Sequence, residues 1–77
     1  METYTFTFYS ADGALFRMTT RPCADLKEAI RHAAGECGLC RSMQIRAQGK
    51  VVWSGSPAEA ELTLTHSVAE EGTGLHP

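Results

Sequence analysis

No apolar run in this 77-residue chain approaches the roughly 18 residues that a membrane-crossing helix needs. The opening residues, Met1 to Tyr4, carry neither a basic segment nor an apolar one, so no secretory leader is expected. Aromatics are scarce: three Phe, two Tyr and one Trp. With the aliphatic residues they can build a thin core, but hardly a core and a deep water-excluding pocket as well. Basic residues stop at Lys50. Seven cations against five acids leave residues 1–50 at +2, and the four acids beyond give residues 51–77 −4. Cysteine is sparse and odd in number, at Cys23, Cys37 and Cys40. With no leader, this predicts a reducing, cytoplasmic setting over a disulfide framework.

Chemical motifs are equally thin. There is no supported Ser/His/Asp grouping, no glycine-rich phosphate loop and no carboxylate pair for acid–base work. Asp12 and Asp25 are explained by turn and capping duties. The chain is therefore expected to be no enzyme and to need no cofactor. At 43% hydrophobic and 21% charged residues it is too apolar for wholesale disorder and is sized for one small domain.

The strongest local signal is strict alternation over residues 3–9. Tyr4, Phe6 and Phe8 share one face, and Thr3, Thr5, Thr7 and Tyr9 the other. Aromatic and β-branched residues at period two predict a strand. A second strand over residues 14–20 follows the Asp12-Gly13 turn. A three-residue loop, Ala11-Asp12-Gly13, would pair Phe8 with Phe16 and Phe6 with Met18, burying all four. A two-residue loop would set Phe8 against Arg17. The apolar pairing favours the longer loop.

Residues 25–37 predict a helix. Leu26, Ala29, Ile30, Ala33, Ala34 and Cys37 form one apolar stripe. Asp25 and Glu28 stand at capping-box spacing, and Gly38 is placed to stop the helix. A second hairpin over residues 42–54, looped at Ala47-Gln48-Gly49, pairs Ile45 with Val51 and Met43 with Trp53. Beyond Trp53 the pattern weakens. Residues 57–77 read as an acidic tail, with an edge strand at 61–68 or a helix starting near Ala58 as competing readings. The expected fold is α+β: ββαββ over residues 1–56, a four-stranded antiparallel sheet with one helix on one face.

The uncovered sheet face is where function is expected. It should carry Thr3, Thr5, Thr7, Tyr9, Leu15, Arg17, Thr19, Gln44, Arg46, Lys50 and Val52. Association with a protein partner or a second copy, by this face or by a strand edge, is the first reading. Nucleic-acid binding by Arg17, Arg46 and Lys50 is the alternative. A third reading uses Cys37-Gly38-Leu39-Cys40. Its spacing suits two thiolates on one zinc, with Cys23, His32, His66 or His76 completing the set. The pair closes a helix, where the dipole raises a thiol pKa, so redox catalysis is not expected. Packing as small hydrophobes explains the pair equally well.

The aromatic strand, the Asp12-Gly13 turn, the Asp25-Leu26-Lys27-Glu28-Ala29 helix start and the closing Gly49-Lys50-Val51-Val52 hairpin resemble a family of short bacterial proteins of unknown function. That resemblance covers residues 3–54. It implies the ββαββ layout and no particular activity. The strand, turn, strand and helix start are also similar to antitoxins of the HicB type, which implies a small RNase as partner.

Overall fold

The computed structural model describes residues 1–73, with side chains as far as residue 65. The order is β1 (Glu2–Tyr9), β2 (Leu15–Cys23), α1 (Leu26–Glu36), β3 (Ser42–Ala47), β4 (Lys50–Gly55) and α2 (Pro57–Thr73). The four strands form one antiparallel sheet in the order β2-β1-β3-β4. The class is α+β, as expected, but with two helices where one was expected. No helix among the described residues is long and apolar enough to cross a membrane.

β1 lies between β2 and β3, so both of its edges are paired. Its aromatic face sits opposite Ala47, Ile45 and Met43 of β3. Tyr4, Phe6, Phe8, Met43 and Ile45 are buried together with Ala29, Ile30, Ala33 and Cys37 of the α1 stripe. Phe6 and Phe8 meet edge to face, centroids 6.5 Å apart. The fully buried Phe6 alone contributes roughly 1.5–3 kcal/mol by leaving water.

Local chemistry sets the helix ends. The Asp25 carboxylate accepts from the Glu28 N–H at 2.8 Å, and Glu28 reaches back to accept from the Ala24 N–H at 2.6 Å. At the other end Cys37 caps the helix, and Gly38 takes φ 62, where a β-carbon is disfavoured.

Of the two competing readings beyond Trp53, the helix starting near Ala58 is the one that forms, as α2, in place of a weak tail or an edge strand at 61–68. Its start is a reciprocal capping box. Glu59 N–H donates to Ser56 Oγ at 3.1 Å, and Ser56 N–H donates to Glu59 Oε1 at 2.7 Å. Pro57 occupies the first helical position, where its missing N–H has no consequence. Ala60 is fully buried, and Leu64 and Trp53 pack on the same core, so α2 lies beside α1 on the aromatic face. The expected frayed end at residues 70–77 is helical as far as Thr73 and otherwise lies outside the described residues.

The first hairpin keeps its expected Ala11-Asp12-Gly13 loop, with Gly13 at φ 84, and departs from the expected register only beyond the Tyr9–Leu15 pair; the second differs in both loop and register. In the first, Ser10 N–H donates to Ala14 O and Gly13 N–H to Ser10 O, each at 2.9 Å, while Ser10 Oγ donates to the Asp12 carboxylate. The turn thus occupies residues 10–14, and Tyr9 faces Leu15. Phe16 is then bulged out, and Phe8 faces Arg17, Phe6 faces Thr19 and Tyr4 faces Arg21. In the second, the loop is only Gln48-Gly49, with φ 54 and 78, the two left-handed residues of a type I′ turn. Ala47 faces Lys50 and Arg46 faces Val51; Val52 is bulged, so Ile45 faces Trp53 and Met43 faces Gly55. Trp53 keeps its expected face but slips two residues along β3.

Candidate functional site

Alternation from the buried aromatics defines the open face. Thr3, Thr5, Thr7 and Tyr9 of β1 point away from the helices. Beside them stand Pro22, Thr20, Met18 and Leu15 of β2. On the other flank are Arg46, Gln44 and Ser42 of β3, then Val51 and Ser54 of β4. Arg46 Nε donates to Gln44 Oε1 at 3.2 Å. Thr7, between Met18 and Gln44, is buried by its neighbours alone.

Of the residues expected here, Thr5, Thr7, Tyr9, Gln44 and Arg46 are brought together. Arg17 and Thr19 are not: the Phe16 bulge turns them to the helix side. There Thr19 Oγ1 donates to Glu36 Oε1 at 3.2 Å, and the neighbouring Arg21 pairs with Glu36 Oε2 at 2.6 Å. Lys50 sits on the side of Ala47. The three cations proposed for a nucleic-acid face are therefore divided, and Arg46 is the one charge on the open face among the described residues.

Apolar groups stand where the cations were expected. Leu15, Phe16 and Met18 on β2 are 62%, 50% and 61% exposed; Val51 and Val52 on β4 are 46% and 40% exposed. All five lie on the two outer strands, and the register sets Leu15, Met18 and Val51 on the open face, flanking its threonine-lined centre. The residue pattern pointed to Leu15 and Val52 but not to Phe16, Met18 and Val51. The missing signal was the bulge on each outer strand, which periodicity cannot show.

The cysteines also rearrange. Gly38 folds the chain so that Cys37 and Cys40 bring their Cα atoms to 5.4 Å, and their sulfurs are bonded at 2.04 Å. The expectation of free thiols at this pair is corrected. In this state neither sulfur can ligate zinc. Of the four residues expected to complete such a set, His66 and His76 lie outside the described side chains. Cys23 is the free cysteine and is buried. Burial, then the nearby Glu28 carboxylate, pushes its thiol above the ordinary range. Cys23, Glu28 and His32 bring their sulfur, carboxylate and imidazole donor atoms within 4.8 Å of one another.

No family model, curated protein or solved structure matches this chain.

Proposed function

We propose that this chain is a non-enzymatic interaction module whose open sheet face packs against a second copy of itself. The observation that carries this is the exposed apolar border on both outer strands, Leu15 and Met18 on one and Val51 on the other. With the methyl groups of Thr3, Thr5 and Thr7 between them, this is a surface suited to sheet-on-sheet packing.

Face packing is favoured over edge pairing for local reasons. Each outer strand is interrupted by a bulge, and β2 also carries Pro22, which lacks an N–H to donate. Bulges, proline and edge charges such as Arg17 and Lys50 are the devices that block edge-to-edge addition. A single charge on the face means that two copies meet with little like-charge repulsion. Four strands about 4.8 Å apart and six to nine residues long give a face of about 300–500 Å² in projection. Two such faces bury on the order of 1,000 Å², near the lower limit for a specific pair. The dimer should therefore be weak and concentration-dependent.

Sedimentation from low to high micromolar concentration tests this. The sedimentation coefficient should rise towards that of a dimer. The Met18→Glu/Val51→Glu variant should remain a monomer, while Arg17→Glu should behave as the parent. A parent chain that stays monomeric throughout, or a dimer indifferent to the face variant, would overturn the proposal.

A further inference from the structure

We propose that Cys23, Glu28 and His32 form a binding site for a zinc-class divalent ion, with one coordination position left to solvent or an outside ligand. The three groups come from a compact piece of structure. Cys23 ends β2, fully buried. Only Ala24 and Asp25 separate it from α1, and the Asp25 cap fixes the angle between strand and helix. Glu28 and His32 are one helical turn apart, so they lie on the same face of α1. That face looks back on the end of β2, which is how the three donor atoms come within 4.8 Å of one another.

The donor set suits the ion. Zinc accepts thiolate sulfur at about 2.3 Å, imidazole nitrogen at about 2.0 Å and carboxylate oxygen at about 2.0–2.2 Å, in a tetrahedron. The edges of such a tetrahedron are about 3.3–3.7 Å, so the cluster needs a contraction of little more than about 1 Å. Side-chain torsions of Glu28 and His32, both partly exposed, can supply it. A mixed sulfur, nitrogen and oxygen set favours zinc or cobalt over the oxygen-seeking magnesium and calcium.

Charge and proton balance agree. Binding takes the Cys23 thiol and the divalent ion to a thiolate–metal bond and releases one proton to solvent. Thiolate and carboxylate together then offset the two positive charges. The Ala24 N–H already holds Glu28 Oε1 at 2.6 Å. That contact orients the carboxylate and leaves its second oxygen for the ion, as outer hydrogen bonds do at metal centres. The site does not involve Cys37 and Cys40, which are joined to each other. Three protein ligands with an open fourth position is the arrangement of an ion that remains accessible, and it differs from a closed structural site.

Cobalt(II) titration of the full chain, disulfide intact, tests the proposal. One equivalent should produce a thiolate-to-cobalt charge-transfer band in the near ultraviolet and the visible bands of four-coordinate cobalt, and zinc should remove both. His32→Ala, on a partly exposed helix position that should not disturb folding, should weaken binding ~10-fold or more. Glu28→Gln keeps the capping contact to Ala24 and should weaken it comparably. Cys23→Ser should abolish the charge-transfer band, while Cys37→Ser/Cys40→Ser should keep it. The proposal is overturned if the parent shows no charge-transfer band. It is equally overturned if His32→Ala binds as the parent does, or if the band depends on Cys37 and Cys40.

Discussion

Met18→Ala separates the two registers of the first hairpin by a wide margin. If Phe6 faced Met18, as simple alternation suggests, Met18 would be buried under α1. Truncating it would then cost about 2–5 kcal/mol. In the structure Phe6 faces Thr19 and Met18 is 61% exposed on the open face. The cost there should stay within about 0.5 kcal/mol. A domain of this size has only about 4–12 kcal/mol of total stability. The first figure would therefore lower the melting temperature by about 10 °C or more, and the second by at most about 4 °C. Urea unfolding followed by Trp53 fluorescence is suitable, because Trp53 packs on the core. The measurement belongs at low micromolar concentration, where association through the open face does not contribute. Phe6→Ala, removing a fully buried ring, should cost about 3–5 kcal/mol and calibrates the scale. The same register places Arg21 against Glu36 at the last turn of α1, where the helix dipole disfavours an acid. With Arg21 44% and Glu36 18% exposed, solvent screens the pair. A double-mutant cycle on Arg21 and Glu36 should still return coupling of about 0.5–1 kcal/mol. A costly Met18→Ala combined with zero coupling would refute the register and every face assignment built on it.

Other expectations follow from single contacts. Under non-reducing conditions the folded chain should show no rapidly reacting thiol, one after unfolding and three after unfolding with reduction, by thiol titration. Ser56→Ala removes the cap of α2 and should cost about 1 kcal/mol with a loss of helical circular dichroism. Gln48→Asn should stabilise by a few tenths of a kcal/mol, about the scale of a side chain suited to φ 54. The Ser10 hydroxyl, then the Ala14 N–H, holds the Asp12 carboxyl below its ordinary range. A depressed folded pKa stabilises at neutral pH, and the effect is lost as pH falls through that value. Asp12→Asn should therefore be less sensitive to acid than the parent in pH-resolved unfolding.

The central strand and the first helix were legible because burial is one-sided there. Tyr4, Phe6 and Phe8 face a helix, Thr3, Thr5 and Thr7 do not, and alternation records the difference. β2 carries no such record. It is an edge strand exposed on both sides apart from Thr19 and Cys23, so either parity of Phe16 and Met18 reads as plausible. The bulge then fixes register by backbone geometry rather than by burial. α2 was obscured because Leu62, Leu64, His66 and Val68 alternate like a strand. The physical determinant lay earlier, in Ser56, Pro57 and Glu59. Among the candidate groups, Cys37 and Cys40 stood out by spacing. Glu28 and His32 share a face by their one-turn spacing, but Cys23 joins them only through the tight strand-to-helix connection, which no spacing rule displays.

The strand order has a consequence for how the chain is made. β1 is synthesised first but lies in the middle of the sheet, and its second neighbour, β3, follows α1. The β1–β2 hairpin can form while β3 is still inside the ribosome. At that stage one edge of β1 is bare and Tyr4, Phe6 and Phe8 have no helix over them. Such a half-built sheet is open to pairing with another nascent chain. The pace at which α1 and β3 emerge is therefore expected to affect soluble yield, separately from the stability of the finished fold.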